Sequence, residues 1–408
     1  MKTSYPKEKI RFLFLEGVHP AGLRMLKSAG YKDIETFSGA LSEAELVRKI
    51  KDVHVLGIRS KTRLTDSVLE AGKHLLGVGA FCIGTNQIDM DSCTRRGIAV
   101  FNSPFSNTRS VAEMVIAHCI NLMRRITEKN AAAHAGEWQK SSENCFEIRG
   151  KTLGIVGYGH IGSQVSVLAE TLGMNVVFYD VEPKLSLGNA RPVKSLDELL
   201  KSADIVTLHV PETPATHQLI NLARMKRMKK GACLINYSRG NVVDLDALRK
   251  SIVNGSIAGA AIDVFPSEPK TNKDPFSSPL QGLPNIILTP HIGGSTMEAQ
   301  ENIGTDVTSK LIHYLESGTT TGSLSVPALT LPEFHGMHRL LHIHHNRPGV
   351  LGDINSRLSR LKVNILGQYL QTNRQIGYVV TDCDPKYSKS ALEELRKVKH
   401  TIRCRSLH

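Results

Sequence analysis

The run Gly157-Tyr158-Gly159-His160-Ile161-Gly162 constrains the fold of this chain more than any other stretch. It follows an apolar segment, Thr152 to Val156, and opens a helix-like one, Ile161 to Leu172. A second apolar run, Val176 to Tyr179, ends in Asp180. The pattern is strand, glycine turn, helix, strand and acid. A dinucleotide pyrophosphate suits such a turn: the first glycine permits the bend, the second lets backbone approach phosphate, and the third lets the helix pack on the sheet. The helix start adds free N–H groups and a partial positive charge. Asp180 is then expected to accept from the ribose hydroxyls, which selects NAD as cofactor.

A chain of 408 residues exceeds one ordinary core, so two or three domains are expected. No apolar stretch is long and uncharged enough to span a bilayer, and the first residues carry charges without a leader-like apolar core. No membrane association is expected. The seven cysteines are scattered and lack a CxxC pair, which fits neither a metal site nor a disulfide framework and points to a reducing cytoplasm. The formal charge of +13 is dispersed, and aromatics make up only 5%. A basic surface serving anionic ligands is therefore expected in preference to a nucleic-acid partner.

Along the first hundred residues, strand-like runs (Arg11–Leu15, Val53–Ile58, Leu75–Val78, Ala99–Phe101) alternate with helix-like ones (His19–Ala29, Ser42–Ile50, Thr65–Ala71). That alternation predicts a parallel sheet with crossover helices. A long helix is expected from Thr108 to about Arg125. The nucleotide unit follows, with strands near 152–156, 176–179, 204–209, 232–236, 258–263 and 285–289 in a doubly wound α/β sheet. Another helix is expected over Ser295–Glu316, and a small polar linker over Ser317–Ser323. Past Pro332 the pattern becomes βαββαβ, a ferredoxin-like module with the look of an added sensor.

Three residues fall where strands of the nucleotide unit should end: Arg239, Glu268 and His291. Ligands of open α/β sheets bind outside the carboxyl ends of the strands, so all three should meet one crevice. Hydride transfer involving a 2-keto acid asks three services of the protein. An arginine can hold the carboxylate through two parallel hydrogen bonds. A histidine can exchange the carbonyl-oxygen proton near working pH. A carboxylate can orient that histidine and favour its charged form.

At these residues the chain resembles the D-2-hydroxyacid dehydrogenases. The resemblance extends over almost the whole chain. It rests on Gly79-Ala-Phe-Cys-Ile-Gly-Thr-Asn-Gln87, Phe101-Asn-Ser-Pro-Phe-Ser-Asn-Thr-Arg-Ser-Val-Ala-Glu113 and Leu153 to Gly162. It also rests on Gly259-Ala-Ala-Ile-Asp-Val-Phe-Pro266, Leu288-Thr-Pro-His-Ile-Gly-Gly-Ser-Thr296 and His342-Ile-His-His-Asn-Arg-Pro-Gly-Val-Leu351. Within the family, the branch that oxidises 3-phosphoglycerate with NAD, the entry step of serine synthesis, is most similar. The resemblance implies a Rossmann-type nucleotide domain (107–294) inserted in a flavodoxin-like substrate domain (1–106 and 295–332), then a ferredoxin-like ACT domain (337–408). It implies catalysis by Arg239, Glu268 and His291. Cofactor contacts would come from Gly157, Gly159, His160, Ile161, Gly162, Asp180, Tyr237, Ser238, Arg239, Asp263, His291, Ile292, Gly293 and Gly294.

Arg59, Ser60, Lys61 and Arg239 would bind substrate, with Lys140 reaching a neighbouring subunit. His344, Asn346 and Asn364 would bind serine as feedback effector. A homotetramer, no metal and a side reduction of 2-oxoglutarate are also implied. Lys61, Ser38, Tyr237, Met337 and His345 depart from the branch pattern. Another D-2-hydroxyacid dehydrogenase, or a nucleotide-sensing corepressor on the same fold, are the alternative readings.

Overall fold

The computed structural model describes residues 5–269, 271, 273–333 and 335–408. They form two compact units, Asn107–Ala299 and the residues up to Ser106 together with Gln300–His408.

The second of these begins with β1 (Phe12–Phe14), β2 (Ile34–Thr36), β3 (Val55–Ile58), β4 (Gly77–Ala80) and β5 (Ala99–Asn102). They form a parallel sheet in the order β2-β1-β3-β4-β5, the flavodoxin-like arrangement. Crossover helices Pro20–Ser28, Glu43–Lys49, Asp66–Ala71 and Met90–Arg95 alternate with the strands, which keeps both faces of the sheet covered. Helix Glu43–Lys49 starts on a capping box: Ser42 accepts from the Glu45 N–H while Glu45 reaches back to the Ser42 N–H. β2 and the helix Met90–Arg95 were not foreseen.

In Asn107–Ala299 the helices Thr108–Arg124 and Ile126–His134 meet at Arg125, whose φ of 52° breaks the helical path. Seven strands follow: β6 (Thr152–Val156), β7 (Asn175–Tyr179), β8 (Arg191–Pro192), β9 (Ile205–Leu208), β10 (Ala232–Asn236), β11 (Ile257–Ile262) and β12 (Ile286–Leu288). Their order, β12-β11-β10-β9-β6-β7-β8, reverses direction between β6 and β9, the doubly wound Rossmann topology. The sequence reading has six of these strands; the two-residue edge strand β8 is the seventh. One apolar layer sets Leu199, Leu234, Leu248 and Ile262 on one face, and another sets Val115, Ile155, Val165 and Ile235 on the other.

The C-terminal residues fold as β13 (His338–His345), helix Val350–Arg360, β14 (Ile365–Thr372), β15 (Ile376–Cys383), helix Ser388–Arg396 and β16 (Thr401–Leu407). The antiparallel order β14-β15-β13-β16 is that of the expected ferredoxin-like module. Leu341, Ile343, Tyr378 and Leu407 from one face of this sheet share a core with Phe14, Phe101, Leu311 and Tyr314. The other face closes over its two helices with Leu340, Ile354, Leu358, Val379 and Leu395.

The helix Met297–Ser317 ends against this module, and its last carbonyls find their partners there. Arg405 donates to the Tyr314 carbonyl at 2.6 Å, Arg339 to that of Ser317 at 3.0 Å, and the Tyr378 hydroxyl to that of Gly318 at 2.6 Å. Arg339 is fully buried and paired in a two-pronged contact with Asp382, at 2.7 and 2.8 Å. Removing one partner of such a buried pair strands the other charge, while removing both is far milder. Arg339→Leu should therefore lower stability by about 3 kcal/mol or more, and Arg339→Leu with Asp382→Leu should recover a large part of it. Thermal unfolding of both variants checks this; equal loss in the two would contradict a stranded Asp382 as the cause.

Candidate active site

Gly157 leaves β6 with φ of 92°, a left-handed conformation that favours glycine. A Cβ there would lie 2.4 Å from the His209 carbonyl oxygen, and one on Gly162 would lie 2.3 Å from that of Gly157. Gly159 instead faces open space, with nothing within 4 Å of a Cβ built on it. Two glycines thus allow close packing and the middle one leaves room for a phosphate. Gly159 is also the N-cap of the helix His160–Thr171, so the N–H groups of His160 and Ile161 lie in its first turn. Asp180 follows β7, and its Oδ2 accepts from the Tyr158 N–H at 2.7 Å while Oδ1 accepts from the Glu182 N–H at 3.0 Å. The acid is fixed beside the glycine turn with acceptor capacity left for ribose hydroxyls. Tyr158 itself stacks on Phe178 at 3.8 Å between centroids and is buried. Cradle and acid fit NAD.

β10, β11 and β12 are neighbours, and the turns after them carry Arg239, Glu268 and His291. His291 Nδ1 lies 2.9 Å from Glu268 Oε2 and 3.1 Å from Oε1. Both side chains are partly exposed. The Glu268 hydrogen bond and charge, with help from Asp263, raise the His291 pKa against the opposing effects of burial and Arg239. Burial pushes the Glu268 carboxyl upward, but the His291 hydrogen bond and charge, the Phe265 N–H and Arg239 together hold it below the usual carboxylate range. Glu268 Oε1 accepts from the Phe265 N–H at 3.1 Å, which orients the acid. Nδ1 is committed to Glu268, and Nε2 is the ring nitrogen outside that contact.

The Arg239 turn is braced locally. Asn236 accepts from the N–H and hydroxyl of Ser238 and donates to the Arg239 carbonyl at 3.0 Å. Arg239 Nη1 donates to the Ser238 carbonyl at 2.7 Å. A Cβ on Gly240 would lie 2.0 Å from the Phe265 carbonyl carbon, so the turn is pressed against the segment leading to Glu268.

Asp263, expected among the cofactor contacts, also braces its own loop. It is buried, and Oδ1 accepts from the Thr289 hydroxyl at 2.6 Å and the Ile292 N–H at 2.9 Å. Its Oδ2 accepts from the Gly293 N–H at 2.8 Å. Asp263 thus holds the loop that displays His291, Ile292, Gly293 and Gly294. His291 has φ of 54°, a strained conformation for a non-glycine residue that only such surroundings maintain. Tyr237 packs beneath: a Cβ on Gly293 would lie 2.7 Å from its ring, and its other side stacks on His118 at 5.8 Å. Asn236, Thr289 and His118 were missed by the sequence reading; they signal only through partners brought close by folding.

Arg59, Ser60 and Lys61 follow β3, with Ser60 and Lys61 exposed. Lys140 is exposed in the irregular segment after the helix Ile126–His134, next to Trp138, which is 88% exposed. His344, at the end of β13, is buried; its Nδ1 contacts the His345 carbonyl at 2.9 Å and its Nε2 has no partner. Burial, with the charges of His345 and His400, holds its pKa down against the His345 carbonyl, which favours the neutral ring. Asn346 donates to the Asn373 carbonyl at 2.8 Å, and Asn364 is exposed just before β14. Among the described residues no His, Cys, Asp and Glu cluster suits a metal ion.

Known proteins are similar to this chain. Residues 116–293 match the profile of the D-isomer specific 2-hydroxyacid dehydrogenase NAD binding domain, and residues 340–403 that of the AHAS small subunit-like ACT domain. A crystal structure of D-lactate dehydrogenase from Aquifex aeolicus complexed with NAD and lactic acid is 28% identical, with a TM-score of 0.67 over 78% of this chain and 100% of that one. Fold and family match thus define a D-isomer-specific 2-hydroxyacid dehydrogenase with an NAD-binding domain. D-3-phosphoglycerate dehydrogenase of Haemophilus influenzae is 52% identical over 100% of this chain and 99% of its own length. That of Escherichia coli K12 is also 52% identical, over 100% of both chains. The chain belongs to the D-3-phosphoglycerate dehydrogenase family.

The His291–Glu268 contact sets a pH dependence. A raised histidine pKa keeps the ring charged to higher pH, as keto-acid reduction requires, and delays the neutral form that hydroxy-acid oxidation requires. Glu268→Gln should move the acid limb of the oxidation profile, and the alkaline limb of the reduction profile, to lower pH. Profiles of kcat/KM in both directions test this; unmoved limbs would separate Glu268 from the titration of His291.

Proposed function

We propose that the chain oxidises 3-phosphoglycerate to 3-phosphohydroxypyruvate with NAD, in the cytoplasm, as the entry step of serine synthesis. The observation that carries this reading is the His291–Glu268 pair beside Arg239 at the strand ends of the NAD-binding sheet. A corepressor that only senses nucleotide has no need of an oriented proton acceptor there.

NAD, when bound, supplies the acceptor for the hydride leaving C2 of the substrate. Gly157, Gly159, Gly162, Asp180 and the first turn at His160 would hold it. Arg239 grips the substrate carboxylate, its planar fork suiting two parallel hydrogen bonds. Neutral His291 takes the hydroxyl proton at Nε2, and Glu268 stabilises the imidazolium that results. In reduction the same ring returns the proton to the carbonyl oxygen. Arg59, Ser60 and Lys61 hold the phosphate, since they follow β3 at the carboxyl end of a parallel sheet, where such ligands bind.

The reading extends to assembly and control. Trp138, Phe146 and Ile126 are exposed around one segment of the nucleotide unit. Ile365, Leu366 and Leu370 are exposed on β14, an edge strand. Two separate apolar surfaces of this kind support a tetramer built through two kinds of contact. Lys140 beside Trp138 would then lie near a neighbouring subunit. L-serine is the proposed effector, bound by His344, Asn346 and Asn364 at a pairing of modules. With Nδ1–H donating to the His345 carbonyl, neutral His344 offers Nε2 as an acceptor to the effector.

NADH oxidation with 3-phosphohydroxypyruvate tests the activity, and His291→Asn should lower its turnover by about a hundredfold or more with NADH affinity little changed. Near-normal turnover in that variant would remove His291 from the proton step. Serine should bind calorimetrically at millimolar concentration or below and depress turnover without relief by excess substrate, through its preference for a less active arrangement. Asn346→Ala should weaken both effects and leave uninhibited activity intact; absence of binding to the unaltered chain would reject serine as effector.

A further inference from the structure

Glu16 is an acid whose carboxylate meets the backbone of residues 59–62. It lies two residues past the end of β1 and is buried, although it is a carboxylate at the end of a sheet. Its backbone is left-handed, with φ of 63°, and Gly17 after it has φ of 64°. A β-carbon disfavours that region, so such a residue persists where the surroundings dictate it, commonly at a ligand site. The bend turns the chain back just after the Leu15 N–H has met the Gly57 carbonyl, the last contact of β1 with β3. The side chain is thereby sent under the neighbouring loop.

Three backbone donors of that loop converge on the carboxylate. Oε1 accepts from the Arg59 N–H at 3.1 Å and the Thr62 N–H at 2.8 Å, and Oε2 accepts from the Lys61 N–H at 2.9 Å. From the other side Gln87, in the loop after β4, donates to the Arg59 carbonyl at 2.7 Å and to the Gly84 carbonyl at 3.3 Å. Loops from three adjacent strands, β1, β3 and β4, therefore fix the backbone of residues 59–62. The cationic side chains are left out of this arrangement: none of the ion pairs among the described residues uses Arg59 or Lys61. A carboxylate is the group suited to this role, because it accepts at both oxygens and donates at neither. A glutamine of the same shape would set its NH2 against one of the three backbone donors.

We propose that Glu16 is the positioning residue for substrate phosphate: its carboxylate locks the 59–62 backbone so that Arg59 and Lys61 stay turned toward a phosphate dianion. The inference rests on the phosphate-holding role given to those two cations above. Its consequence is selective. An ordered loop lowers the cost of gathering two long cationic side chains around one ligand, so Glu16 sets the advantage of a phosphorylated substrate over the same keto acid without phosphate.

Steady-state reduction of 3-phosphohydroxypyruvate and of hydroxypyruvate, by the full-length chain and its Glu16→Gln and Glu16→Asp variants, tests this. Glu16→Gln should raise KM for the phosphorylated substrate about tenfold or more, the effect of losing hydrogen bonds to a charged group. Its kcat, its KM for NADH and its kcat/KM for hydroxypyruvate should stay within about twofold. Glu16→Asp keeps the carboxylate on a shorter arm and should fall between. Equal losses on both substrates, or an unchanged phosphate preference, would overturn the role of Glu16. An unaltered chain with no preference for the phosphorylated substrate would instead remove the phosphate role of Arg59 and Lys61, and the inference with it. Should Glu16→Gln fail to fold, Gln87→Met releases the same loop from its other side; a smaller KM rise confined to the phosphorylated substrate supports the proposal, and no rise overturns it.

Discussion

The placement of the His291–Glu268 pair depends on one buried carboxylate. Asp263 follows β11 and commits both oxygens to the Thr289 hydroxyl and the Ile292 and Gly293 N–H groups. Charge-assisted hydrogen bonds of this kind are about twice as strong as neutral ones. They hold the loop after β12 in a conformation that leaves His291 at a positive φ. That conformation brings the ring to Glu268, and Glu268 is itself held by the Phe265 N–H two residues beyond Asp263. One short segment thus supports both members of the pair. The hydrogen bond and charge of Glu268 then favour the charged form of the histidine, so the balance between its two forms depends on the packing of the loop.

The same economy governs the glycine turn. Gly157 and Gly162 are glycines because backbone comes too close for anything larger, whereas Gly159 is a glycine facing open space. The first two shape the protein and the third leaves room for a ligand. Asp180 joins the two functions, since it fixes the Tyr158 N–H and remains near the place where a ribose would lie.

What could be read in the sequence follows from the range of each interaction. The apolar runs that become β6, β7, β9 and β10 are legible because parallel strands are buried on both faces and need continuous hydrophobicity. β2, Ile34-Glu35-Thr36, escapes notice because it is a short, half-exposed edge strand with an acid at its centre. The helix Ile126–His134 was hidden by alanines without an apolar stripe and by the break at Arg125. The motifs at the strand ends place Arg239, Glu268 and His291 on neighbouring turns, and that adjacency could be read from the sequence. The hydrogen bonds of Asp263 to its own loop could not, since an aspartate before a turn looks alike whether or not it braces its neighbours. Glu16 was invisible: its partners lie 43 to 46 residues away, and no local pattern records a carboxylate that serves another loop's backbone.

The C-terminal sheet looks separable on paper, joined by a polar linker and closed by its own helices. Its shared core with the N-terminal sheet says otherwise. A chain cut after residue 332 would uncover Phe14, Phe101, Leu311 and Tyr314 on one side of the break and leave the Tyr314, Ser317 and Gly318 carbonyls without their arginine and tyrosine donors. Even Gly97 is tied to this seam, since a Cβ there would press on Ile343 and Ile402. A fragment made by truncation would therefore expose a sticky apolar face and lose solubility, and grafting the C-terminal module onto another protein would require transplanting the surface beneath it as well.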